Sequence, residues 1–146
     1  MDRDKVAAEL QPTLVELVDL ALSGKQAHWN LTGELFRPLH LQLDELVVDA
    51  REWGDQVAER MVTIGSSADG RVATVSADTP LPAFPGGAVP SGKVVTEIVA
   101  RLDEIVERVR GRIGRLGDAD PVSQDLLTGI TAGLEKHRWM FVAQSR

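Results

Sequence analysis

Two of the chain's three histidines stand twelve positions apart, at His28 and His40, and carboxylates follow at Asp44, Asp55 and Glu59. His40 and Asp44 are four apart, so on a helix they lie one turn from each other on one face and can share a ligand. Asp55 and Glu59 repeat that spacing. At ~100° per residue, positions 40, 44, 55 and 59 fall at roughly 0°, 40°, 60° and 100°, a single polar stripe. The two pairs lie about 22 Å apart along the axis at ~1.5 Å per residue, whereas a metal ion sits ~2.0–2.2 Å from its ligands. One chain cannot bring all four to one ion. Two copies can, if this helix packs antiparallel against its twin about a twofold axis near Asp49 and Ala50. His40 and Asp44 of one chain then face Asp55 and Glu59 of the other, and symmetry makes two identical sites. His28 reaches the same site if the chain folds back over Thr32-Gly33. Nitrogen and oxygen donors of this kind suit a divalent first-row metal, iron foremost, with open positions for an oxidant. The plain alternative is an exposed ion pair and a solvated acidic face. It leaves unexplained why like charges line one stripe of so long a helix.

The elements that must carry these residues are helical. Leu10, Leu14, Leu17, Val18 and Ala21 recur at three- and four-residue steps and describe an amphipathic helix running to about Asn30. Pro12 fits only a first turn or a kink, which leaves the start of that helix open. A second helix is expected over residues 36–64, with Pro38 in its first turn and Gly65 as its stop. Residues 65–92 are rich in Gly, Ser and Pro and read as a long connection holding at most a short helix near Val72 to Ala77. Ser91 is placed to cap a third helix that Gly117 ends, and Asp120-Pro121 opens a fourth that runs to about Ala143. No strand pattern competes. The expectation is an all-α, ferritin-like four-helix bundle with a long crossover connection between helices 2 and 3. No Glu-x-x-His occurs, so the intrachain di-iron site of such bundles finds no support.

At 146 residues the chain has room for one domain, residues 1–146. Its 43% apolar and 26% charged composition is that of a soluble globular protein, with no apolar run near the ~18 residues of a membrane span. Zero cysteines exclude disulfides and thiolate metal sites, and a start without signal features makes the cytoplasm the expected location. The formal charge of −6 favours cations over polyanions.

The segment KQAHWNLTGELFRPLHLQLDELVVDAREWGDQVAERMVTIG closely resembles the signature region of the Dps mini-ferritins, the DNA-binding proteins of starved cells. It matches in His-Trp-Asn, in the downstream His with Asp four later, and in Asp-x-Val-Ala-Glu-Arg. The segment DPVSQDLLTGITAGLEKHRWMFVAQ is similar to the last helix of that family, and the likeness is weakest over 65–92. The resemblance implies that the ferroxidase ligands are His28, His40 and Asp44 of one subunit with Asp55 and Glu59 of its twofold mate. It also implies a hollow shell of twelve subunits that oxidises iron(II), preferably with hydrogen peroxide, and stores the iron(III) mineral. Asp125 matches an acidic residue of the threefold pores, with Asp120 as a possible helper that reads better as a helix cap. Trp29 is either an interceptor of stray oxidising equivalents or a packing anchor. Glu45, Asp49 and Glu52 are candidates for a mineral-seeding inner face, or ordinary solvated charges. DNA binding is expected to be weak or absent, because Arg3 and Lys5 are offset by Asp2 and Asp4 and Arg146 stands alone after the last helix. The rival reading is a nucleoid-associated structural protein with a vestigial metal site.

Overall fold

The computed structural model describes residues 1–144; Arg146 lies outside the described residues. Five helices, α1 (Arg3–Asn30), α2 (Phe36–Thr63), α3 (Val72–Asp78), α4 (Ser91–Leu116) and α5 (Pro121–Gln144), account for most of the chain. The four long ones form the bundle: α1 packs mainly on α2, α4 on α5, and α1 against α4 closes the core. That core is aliphatic, with Leu10, Leu17, Leu20, Leu39, Leu43, Leu46, Ile98, Leu102, Ile105, Leu127 and Leu134 fully buried. Each such side chain contributes about 1.5–3 kcal/mol relative to exposure.

The first helix begins earlier than its apolar repeat does. Asp2 accepts a hydrogen bond from the Lys5 backbone N–H and caps it at Arg3. The helix then runs straight through Pro12. The N–H that proline lacks would have bonded the carbonyl of Ala8, an exposed residue one turn earlier. At the other end, Gly65 adopts φ 86°, a conformation that favours glycine, and its N–H bonds Val62 O.

The long connection crosses the bundle end to end, because its last residues return to the turn between α1 and α2. There β1 (Leu31–Thr32) pairs in parallel with β2 (Val89–Pro90), in the register Leu31 to Val89 and Thr32 to Pro90. This two-residue pairing has no periodic signature, and the sequence reading contained no strand. Arg101, buried on α4, holds the connection by donating to Pro82 O and stacking over Phe84 at 4.9 Å. Ser91 is the first residue of α4, follows a Pro90 cap and makes no capping hydrogen bond, so its expected role is not taken up. Two ionic side chains sit inside the bundle: Glu16 of α1 accepts from Arg112 of α4, which also donates to Thr13 Oγ1. Among the described residues, no helix is long and apolar enough to cross a membrane.

Candidate metal centre

The α1–α2 turn decides where the histidines meet. Gly33 at φ 94° and Leu35 at φ 62° reverse the chain within five residues, from Leu31 to Leu35, and bring the end of α1 against the start of α2. Close approach continues beside it, where Gly24 lies so near α2 that a Cβ would stand 2.7 Å from Val47 Cγ2. Across this seam the His28 and His40 rings stack with centroids 3.6 Å apart and planes within 11°. Phe36 stacks on the other side of His40 at 5.0 Å.

Each imidazole is also held by the backbone of the other. His28 Nδ1 donates to His40 O at 2.6 Å and His40 Nδ1 donates to His28 O at 2.7 Å. A carbonyl oxygen only accepts, so both Nδ1 atoms carry a proton, and in the neutral ring each Nε2 is the atom that keeps a lone pair. Neither Nε2 has a partner among the described residues. Backbone carbonyls at Nδ1 are the usual supports of a metal-binding histidine, since they fix tautomer and ring orientation together.

Asp44 stands one turn beyond His40 and is half-buried. Its Oδ1 forms an ion pair with Lys25 Nζ of α1. The hydrogen bond from Lys25 holds the Asp44 carboxyl below its ordinary range; partial burial opposes this, and the Lys25 charge and the two imidazoles add to it. Asp55 and Glu59 lie further along the same stripe, exposed, and neither carboxylate has a side-chain partner among the described residues. Asp55 edges an apolar groove between α1 and α2 that includes Leu14, Val18 and Leu22. Among the described residues, no three His, Asp or Glu side chains of one chain converge as metal ligands would. His28 and His40 are brought together, with Asp44 near them but not converging with both on one point, whereas Asp55 and Glu59 are not brought to them.

The midpoint of the stripe, near Asp49 and Ala50, is the height at which the expected twofold axis would pass. Ala50 is in the core, and Asp49 turns to α5, where its Oδ2 lies 2.6 Å from His137 Nε2. At that height the exposed face shows Val48 and Arg51. Asp49 also lines a groove between α2 and α5 with Asp44, Glu45 and His137, and Glu52 is exposed. Trp29 is 67% exposed.

The two pore candidates separate. Asp125 is exposed on α5. Asp120 is buried, accepts from Arg60 Nη2 at 2.8 Å and from Ser123 Oγ, and is held below the usual carboxylate range: burial alone would raise it, but Arg60 and Ser123 more than offset that. It joins α2 to the start of α5, in keeping with a cap.

Lys25 and His137 had no assigned part in the sequence reading. Lys25 lies three residues before His28, a spacing that puts both on one helix face and was available as a signal. His137 meets its partner across 88 residues, and nothing local announces it.

The model of the ferritin-like domain matches residues 7–146. DNA protection during starvation protein 2 of Deinococcus radiodurans is 35% identical over 97% of this chain, which spans 59% of that protein's length. The crystal structure of Dps92 from the same species superposes with a TM-score of 0.95 at 35% identity, covering 97% of this chain and 86% of that one. Dps from Microbacterium arborescens in its high iron form gives 0.93 at 33% identity, covering 97% and 93%. Fold and matched length agree: the chain belongs to the ferritin-like family, within its Dps branch.

Proposed function

We propose that the chain is a ferroxidase and iron-storage subunit, in which iron(II) is oxidised at sites completed between two copies. The observation that carries this is the half-site: two imidazoles with locked Nδ1 protons and free Nε2 atoms stand beside Asp44, with no further acidic ligand in reach within the chain. Asp55 and Glu59, unpartnered on the same stripe, are the donors that an antiparallel neighbour would supply. Iron is the substrate here. Two iron(II) ions give one electron each to hydrogen peroxide, its O–O bond breaks, and two hydroxides take up the electrons, so no hydroxyl radical leaves the site. His28 and His40 supply neutral nitrogen donors and the carboxylates offset the charge that oxidation adds.

The reading extends to a shell of twelve subunits with iron(III) mineral inside and Asp125 at cation entry pores, where acidic walls focus the field on incoming iron. The Dps branch and the solved relative in a high iron form support it. DNA binding is weak or absent.

Complementation between subunits tests the shared site. His40→Ala shells and Asp55→Ala/Glu59→Ala shells should each oxidise iron slowly with peroxide. Co-assembled from mixed, unfolded subunits, they should recover activity, because a mixed pair holds one site with every ligand intact. No recovery in mixed shells of verified composition would refute a site built from two chains.

A further inference from the structure

Lys25 is in direct contact with the half-site, and it occupies the carboxylate that a metal would need. Its side chain is 23% exposed and that of Asp44 46%, so the pair is held against the protein and is not a freely solvated contact. Lys25 reaches Asp44 from α1, the helix that also carries His28, and stands one turn before that histidine. A lysine ammonium is a compact point charge on a flexible stem, able to withdraw without disturbing the helix that bears it. The two imidazoles do not depend on Lys25 for their placement, since each is held at Nδ1 by a carbonyl.

From this geometry we propose that Lys25 is a tethered placeholder cation: it sits on Asp44 until a divalent metal displaces it, and so tunes how tightly the site takes metal. The proposal rests on the shared-site reading. Two consequences follow from charge alone. While the site is empty, Lys25 offsets the acids of Asp44 and of the approaching Asp55 and Glu59 stripe, so that two copies can pair without metal. When metal arrives, breaking the Lys25 contact and bringing two cations close together both oppose binding. Lys25 therefore acts as a positioning residue that weakens affinity.

The probe is cobalt(II), inert to peroxide-free buffer, titrated calorimetrically into the assembled protein with its visible absorption followed in parallel. Lys25→Met, which keeps the apolar stem, should bind cobalt roughly two- to fivefold more tightly than the unmodified chain, the range expected for loss of a partly exposed ion pair. Lys25→Arg keeps the charge and should bind as the unmodified chain does. With chelator present, the Lys25→Met assembly should come apart at higher protein concentration than the unmodified one, that is, on less dilution, and added cobalt should restore it. Unchanged or weaker cobalt binding by Lys25→Met, with Lys25→Arg intact, overturns the placeholder role. His40→Ala serves as the control for the site: if it binds cobalt as the unmodified chain does, the site reading falls, and the placeholder with it.

Discussion

Gly24 of α1 lies against Val47 of α2 with no room for a side chain, since an added Cβ would stand 2.7 Å from Val47 Cγ2. Valine is branched at Cβ and has little freedom to turn away. Gly24→Ala is expected to lose stability on balance, because overpacking costs about 1–3 kcal/mol against a helix-propensity gain of about 1 kcal/mol. The strain also falls one residue before Lys25 and one turn before His28, so metal affinity should drop as well. Val47→Ala in the same chain should restore both. Thermal melts and cobalt titration of the single and double variants read this directly; a Gly24→Ala chain as stable as the original would show that the helices can separate freely.

Glu16 and Arg112 make the interior of the bundle dependent on pH. Burial raises the Glu16 carboxyl above its ordinary value, while Arg112, by hydrogen bond and charge, and Arg108 at longer range pull it down; Glu104 adds a small upward push. A group whose folded value is raised contributes stability that is complete below the unfolded value of ~4.3 and is lost as pH rises through the folded one. Chemical denaturation should therefore show stability declining with pH above that range, and Glu16→Gln should flatten the slope. Glu16→Leu alone leaves Arg112 buried without its carboxylate and should cost about 3–5 kcal/mol; Glu16→Leu with Arg112→Leu should regain most of it.

The parts legible in the sequence are those that local periodicity writes. The stripe of His40, Asp44, Asp55 and Glu59 follows from helical spacing alone, and α2 begins at the expected residue and ends one short of the expected limit. Punctuation by Gly and Pro marked the 65–92 connection and its short α3. What spacing could not provide is the reciprocal bonding of His28 and His40, because it depends on Leu35 taking a left-handed conformation that no local rule demands of leucine. The Lys25–Asp44 pair depends on the same turn. The β1–β2 pairing is too short to leave a pattern, and the run through Pro12 places an exposed Ala8 one turn before it. Apart from Pro12, each gap is a long-range relationship, set by how the helices pack.

Asp120 anchors the end of α2 to the start of α5 through Arg60, the residue that follows Glu59. Its carboxyl is lowered in the folded chain, so its contribution is present above the unfolded value of ~3.9 and is lost as pH falls through the folded one. Asp120→Ala should cost about 2 kcal/mol at neutral pH, combining a lost cap with a lost charged hydrogen bond. Asp120→Asn should lose part of the acid sensitivity seen between neutral pH and pH ~3. If both variants melt where the parent does, the anchor is not a stabilising contact.

DNA is expected to find little to hold on this surface. The chain carries −6, and several of its exposed cations are already spoken for: Arg115 by Glu9, Arg110 by Glu135, Arg138 by Asp103 and Arg71 by Asp69. A phosphate would have to break such a pair before it released a counter-ion of its own, so each contact returns less than a free arginine would. Gel-shift assays at ~0.15 M salt, where charge is screened beyond about 8 Å, should show unretarded DNA. Lowering the salt tenfold should add only a faint, sequence-independent shift. Retardation that survives at the higher salt, in shells shown to oxidise iron poorly, would favour the nucleoid-binding rival over the ferroxidase.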